Sequence, residues 1–185
     1  PVFRHFMSKE KSSIAESAQI ADSAVIKGEV IIGENVKVFE GAVINGPAYI
    51  GADSVIANNS LVRDSHLGAG CVIGFSSEVA RSYLGGKVWT HSNYIGDSIL
   101  GNNVSFGAGT VVGNLRLDEK NISVNCDGKP VDTDSNKFGL ITGDNVRCGI
   151  NTSFMPGVKI GGGSFIGAGI VVAQDIEENS FVRGS

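Results

Sequence analysis

"IAESAQIADSAVIKGEVIIGENVKVFEGAVINGPAYIGADSVIANNSLV", residues 14–62, places an aliphatic side chain at every sixth position without a slip: Ile14, Ile20, Ile26, Ile32, Val38, Ile44, Ile50, Ile56 and Val62. Four residues after each anchor stands a small or β-branched residue, among them Ala18, Ala24, Val30, Val36, Ala42, Ala48, Ser54 and Ser60. A helix buries one face at spacings of three and four and an isolated strand at a spacing of two, so neither explains an unbroken six. A solenoid does. Each hexad supplies one short strand and one turn, with the aliphatic side chain pointing inward, and three hexads close a triangular coil. Gly33, Asn45, Gly51 and Ala57 follow their anchors directly, and the turn is expected at these residues, where left-handed geometry costs least.

Outward from this block the period continues with gaps. Val62 to Leu67 is a step of five; Leu67, Ile73 and Val79 resume the six; Val79 to Leu84 is again five. The next anchors are Ile95, Leu100, Phe106 and Val112, and regular hexads return at Thr142, Cys148, Phe154, Ile160, Ile166 and Val172. Residues 85–94 are expected to be the first place where a functional segment replaces repetition. A second interruption, "LRLDEKNISVNCDGKPVDTDSNKF" at 115–138, carries no hexad; Asp127-Gly128 between two short β-like runs predicts a hairpin. The organisation expected is a tail or linker at 1–13, the solenoid at 14–176 with the insertion 115–138, and a C-terminal tail at 177–185.

Composition agrees with one compact repeat domain. The 185 residues include 26 glycines, about twice the ordinary share, alongside abundant Ile and Val. Fifteen basic against nineteen acidic residues give a net charge of −4, with no basic block, which argues against nucleic acid as a partner. No apolar run is long enough to cross a bilayer and no signal-peptide pattern opens the chain, so no membrane partner is expected. Three cysteines, Cys71, Cys126 and Cys148, without CxxC spacing suit a reducing, cytoplasmic setting better than a disulfide framework.

A solenoid interior is packed, so chemistry falls to its outer edges. In "HSNYIGDS", residues 91–98, His91 is the candidate proton acceptor, because an imidazole titrates near neutrality. Asn93 and Tyr94 are hydrogen-bonding groups for a sugar hydroxyl. His5 and His66 read as a tail residue and a surface turn. With only these three histidines and no close pair, a zinc site is not expected. "SFGAGTVVGN", 105–114, brings backbone close to a ligand, and the Ala108 N–H is a candidate oxyanion donor. Lys120 and Lys137 are candidate phosphate contacts in the insertion.

The succession "HSNYIGDSILGNNVSFGAGTVVGN", an insertion, and "NKFGLITGDNVRCGINTSFMPGVKIGGGSFIGAGIVVAQDI" resembles the acetyltransferase domain of the bifunctional N-acetylglucosamine-1-phosphate uridylyltransferase/glucosamine-1-phosphate N-acetyltransferase family, in its archaeal-type sugar-1-phosphate nucleotidylyltransferase branch. The match covers about 84–114 and 136–176; the earlier hexads match only as a repeat. The resemblance implies an all-β, left-handed parallel β-helix and a homotrimer. It also implies an N-terminal nucleotidylyltransferase domain outside this chain. Its implied reaction is transfer of acetyl from acetyl-CoA to the amine of an amino sugar 1-phosphate, with no metal and no acyl-enzyme. His91 would be the general base. Ala108 would support the tetrahedral intermediate and acetyl-CoA, and Ala168 would touch coenzyme A through its backbone. Tyr94, Asn114 and Lys137, with Lys120 from the archaeal-type members, would bind the sugar phosphate. Two departures stand out. The upstream basic residues of the bacterial members have no counterpart in register, Arg63 and Arg81 being only nearby, and a coenzyme A serine is replaced by Ile150. These departures bear on the exact substrate more than on the chemistry, and the missing basic residues favour the alternative, a non-catalytic trimerisation or regulatory module of a nucleotidylyltransferase.

Overall fold

The computed structural model describes residues 2–7 and 9–184. The hexads build a parallel β-solenoid, the all-β left-handed β-helix expected from the repeat. Parallel pairing steps the chain by 18 residues, three hexads to a coil: Ser13 lies beside Ile31, Val25 beside Val43, and Lys37 beside Val55. Three columns of inward side chains result. One runs Ile32, Ile50, Leu67, Leu84 and Leu100; a second Val38, Ile56, Ile73, Phe106 and Cys148; a third Ile44, Val62, Val79, Ile95, Val112 and Phe154. These side chains are almost wholly removed from water. Ile14, in the first coil of the described residues, remains 51% exposed.

The steps of five shorten coils without breaking the ladder, since Leu61 pairs with Glu78 and Glu78 with Tyr94. Across the second interruption Ile99 pairs with Ile141, a step of 42 residues, which is one 18-residue coil plus the 24 residues of 115–138. The insertion therefore leaves the solenoid and returns to it in register. It holds the predicted hairpin: Ser123–Cys126 runs antiparallel to Lys129–Asp132, and Asp127 (φ 50°) and Gly128 (φ 77°) make the doubly left-handed turn that an Asp-Gly pair favours. Ile122 at its base is buried, and the Lys159 ammonium donates to the Asn125 carbonyl, so the hairpin is fastened to a later coil.

Four expectations need correction. First, residues 85–94 do not interrupt the repeat. Thr90, fully buried, occupies the second column between Ile73 and Phe106, as the bridges of Trp89 to Val72 and Ser105 require. Its hydroxyl accepts from the Gly74 N–H at 3.0 Å and lies within reach of the Val72 carbonyl and the Ser77 hydroxyl, which makes a polar core position tolerable. Second, the left-handed residues are not those that follow the anchors. They come three residues after an anchor, at Asn35 (φ 56°), Asp53 (φ 59°) and Asn59 (φ 56°). Gly33 and Gly51 are small for another reason: a Cβ on Gly51 would stand 2.6 Å from the Ala69 nitrogen in the next coil. Third, 1–13 is not only a tail. Val2–Met7 is a helix, α1, whose Met7 is buried, and it packs against the strands Val43–Ile50 and Leu61–Leu67. Fourth, the coil continues past 176, because Phe181–Val182 pairs with Phe165–Ile166.

Gly51→Ala is therefore expected to lower unfolding free energy by about 1–3 kcal/mol through overpacking. Asp53→Gly, at a left-handed site, should stay within roughly 0.5 kcal/mol of the parent. Denaturant unfolding gives the order, and a reversal would contradict the assignment of the two positions. Burial pushes the thiols of Cys71 and Cys148 up, to about 11 and about 12. A thiol reagent at neutral pH should modify the exposed Cys126 in the folded chain and reach the other two only on unfolding.

Candidate functional site

After Thr90 the chain turns an edge of the prism. His91 and Ser92 project from it, with Ser92 left-handed at φ 51°. Asn93 turns inward and is 3% exposed. Its Oδ1 accepts the His91 N–H at 2.5 Å, and its Nδ2 donates to the carbonyls of Gly107 (2.9 Å) and Thr110 (3.0 Å). Its own N–H donates to the Ser77 hydroxyl at 3.1 Å. Asn93 is thus not a sugar contact, contrary to the expectation. Its amide is consumed within the fold, where it fixes the turn that carries His91.

The same edge carries the two backbone candidates. Trp89 lies beside Ser105, so His91 and Ser92 stand level with Gly107 and Ala108 on the next coil. Ala108 is exposed and its carbonyl accepts the Asn151 N–H at 2.9 Å. Ile150 and then Ala168 continue the row; a Cβ on Gly149 would lie 2.6 Å from the Ala168 nitrogen, a measure of how closely the corners stack. His91, Ala108 and Ala168 therefore share one edge, with the exposed apolar Ile150 among them.

Tyr94, Asn114 and Lys137 belong to the neighbouring edge. The strand Tyr94–Gly96 crosses one face to reach it, and at about 3.3 Å per residue the two edges lie on the order of 15 Å apart. There Arg81 grips Asp97 with two bonds, Nε to Oδ1 at 2.6 Å and a terminal nitrogen to Oδ2 at 2.7 Å. The Asp97 carboxylate, through that bond, holds the Arg81 pKa above its ordinary value. The Asn114 amide donates to Asp97 Oδ2 at 2.5 Å and to the Tyr94 hydroxyl at 3.0 Å. Gly96 makes room for this network, because a Cβ there would sit 2.5 Å from the Tyr94 Oη. Arg81, Asp97, Lys137 and Phe138 line a cavity of about 400 Å³ together with His66, Tyr83 and Phe3. Lys137 is exposed and leads back into the coil beside Leu115. Lys120 lies in the exposed part of the insertion and does not line this cavity.

Two readings of single residues change. Arg81, set aside as out of register, is central to this edge. A coil of 16 residues puts it directly against Asp97, a relation visible only once Ala80 is known to pair with Gly96. His66 is not on a surface turn but in the strand Leu61–Leu67. There it is stacked between Tyr49 (4.9 Å) and Tyr83 (4.5 Å) with Phe3 edge-on, and burial pushes its pKa down. Among the described residues no three His, Cys, Asp or Glu side chains converge as a metal site would need, and no helix is long and apolar enough to cross a membrane.

Residues 8–131 match the family model described as the GMPPB C-terminal domain. A bifunctional protein GlmU of Methanocaldococcus jannaschii is 46% identical over 167 residues, covering 89% of this chain and 40% of the relative. One from Methanococcus maripaludis strain C7 is 52% identical over 110 residues, covering 59% and 26%. A bifunctional sugar-1-phosphate nucleotidylyltransferase/acetyltransferase of Sulfurisphaera tokodaii is 43% identical over 113 residues, covering 60% and 28%. The chain thus spans less than half the length of each of these relatives. It belongs to the family of the GMPPB C-terminal domain.

Proposed function

We propose that this chain transfers acetyl from acetyl-CoA to the amine of an amino sugar 1-phosphate of the glucosamine-1-phosphate type. One observation carries the reading. An exposed histidine, with a backbone fixed by a buried asparagine, shares an edge with closely stacked alanine and glycine corners, and a polar cavity that holds the exposed Lys137 beside the Arg81–Asp97 pair occupies the next edge. The names of the relatives support it, and their greater length is consistent with a nucleotidylyltransferase domain preceding this one. Three unpaired cysteines suit a cytoplasmic setting.

The site residues then act as follows. Lys137 holds the sugar phosphate as a point charge, while Tyr94 and Asn114 bond the sugar. His91 takes the proton of the amine as its nitrogen attacks the thioester carbonyl, and returns a proton as the coenzyme A thiolate departs. The Ala108 N–H stabilises the oxyanion of the tetrahedral intermediate. The nitrogen attacks the thioester directly, so the cysteines need no role. With the two edges this far apart in one copy, His91 of one copy works with Lys137 of another in this reading, in a homotrimer with its sites between copies. Arg81 is already neutralised by Asp97 and is assigned a positioning role, orienting Asp97 and through it Asn114. That neutralisation also favours the alternative, a non-catalytic trimerisation or regulatory module, since it leaves the sugar-phosphate edge with fewer free cations.

Release of coenzyme A thiol, measured with glucosamine-1-phosphate, galactosamine-1-phosphate and no sugar, separates the two readings. Sugar-dependent release is expected. His91→Ala should lower kcat by about 10²–10⁴ with unfolding unchanged, as loss of a general base does. Lys137→Ala should raise KM for the sugar phosphate by about tenfold with a smaller effect on kcat. Near-normal turnover in His91→Ala would remove the base assignment. No release with any sugar from a folded trimer would favour the module.

A further inference from the structure

Trp89 is the one tryptophan of the chain and stands 53% exposed on the outer surface of the face whose inward side is the second column, two residues before His91. In the column that crosses its coil, Trp89 lies beside Ser105 and Ser105 beside Arg147. Adjacent coils are about 4.8 Å apart, so the small serine leaves a trough roughly 10 Å long between an indole wall and a guanidinium wall. With Gly70, Lys87 and Asn103 at the adjoining corner, these residues enclose a cavity of about 470 Å³, within the range of small-ligand sites.

The charge of the trough is opposite to that of the molecule. The chain carries a net −4, yet the lining holds Lys87 and Arg147 and no carboxylate. Among the described residues neither cation has an acidic partner. Arg147 is held by neutral acceptors: the carbonyl of Asn103, that of Val146 at 3.1 Å, and Asn103 Oδ1 at 2.8 Å. Three of its five N–H groups are used in this way, and two are left to donate. A fixed guanidinium with spare donors, a mobile ammonium and an exposed indole face are complementary to a phosphorylated ligand that also carries a flat aromatic ring.

We propose that this trough is a nucleotide site, taking a nucleoside diphosphate with its base against Trp89 and its phosphates on Arg147 and Lys87. It lies on the corner opposite the edge of His91, Ala108 and Ala168, and it does not rest on the acetyl-transfer reading. The same chemistry occurs in free nucleotides and in the adenosine phosphate moiety of coenzyme A, so both sources enter the test.

Because Trp89 is the sole tryptophan, its emission reports this face of the prism, and substitution of Arg147 and Lys87 at its far corner separates binding in the trough from binding at the His91 edge. The chain, in whatever assembly it forms, is titrated with UDP, ADP and coenzyme A, and separately with adenosine, uridine and inorganic pyrophosphate, with inner-filter correction. Saturable quenching by at least one of the first three is expected, with binding weaker by about tenfold or more for the nucleosides and for pyrophosphate. The ligand that binds more tightly identifies the source. Arg147→Gln and Lys87→Asn should each weaken that binding by about tenfold. Asparagine is chosen because position 87 is left-handed, at φ 58°, so this variant stays folded even where Arg147→Gln does not. Emission that is unresponsive at millimolar nucleotide, or quenching unchanged in Lys87→Asn, or pyrophosphate binding as tightly as any nucleotide, would overturn the proposal.

Discussion

The structure depends on the stacking of one coil on the next at the spacing of a parallel β-ladder. Everything on the corners must fit within that spacing. At Gly51 a single added carbon would stand 2.6 Å from the backbone of the coil beyond. Where the chain must also reverse its course, it spends a left-handed residue, and Asn35, Asp53 and Asn59 supply it. The inward aliphatic columns hold the coils together, but the close corners decide that they stack at all.

The same close stacking arranges the chemistry. A prism with a filled interior offers only its edges, and coil-to-coil register determines which residues share one. His91, Ala108 and Ala168 are far apart in sequence and stand in one row because their coils are in phase. Arg81, Asp97 and Asn114 form the next row in the same way, and the insertion then returns the chain beside it, where Lys137 completes the cavity. The insertion therefore does more than protrude: its length lets the solenoid resume in register while delivering a lysine to the edge.

The fold was legible because its period is carried by large aliphatic residues, and the hairpin because Asp127-Gly128 is a local signal. What escaped was whatever depends on contact across coils. Thr90 hid one anchor, since a threonine is not counted as core until its hydroxyl is seen to be bonded inside. Asn93 read as a ligand group because an asparagine beside a histidine looks alike whether it faces a sugar or the interior. Arg81 lost its place because two short hexads shift the register by residues that no local pattern reveals. The helix Val2–Met7 carries no hexad and is held by tertiary packing alone.

The central claim is that catalysis needs two edges contributed by different copies. Subunit mixing tests it most directly. His91→Ala and Lys137→Glu chains, each impaired as a homotrimer at low sugar phosphate, are co-folded in equal amounts. If each site takes His91 from one copy and Lys137 from the next, about a quarter of the sites are intact by chance. Sugar-dependent release of coenzyme A should then return to about that fraction of the wild-type rate. Mixed trimers that recover nothing, while both variants assemble normally, would contradict the shared site.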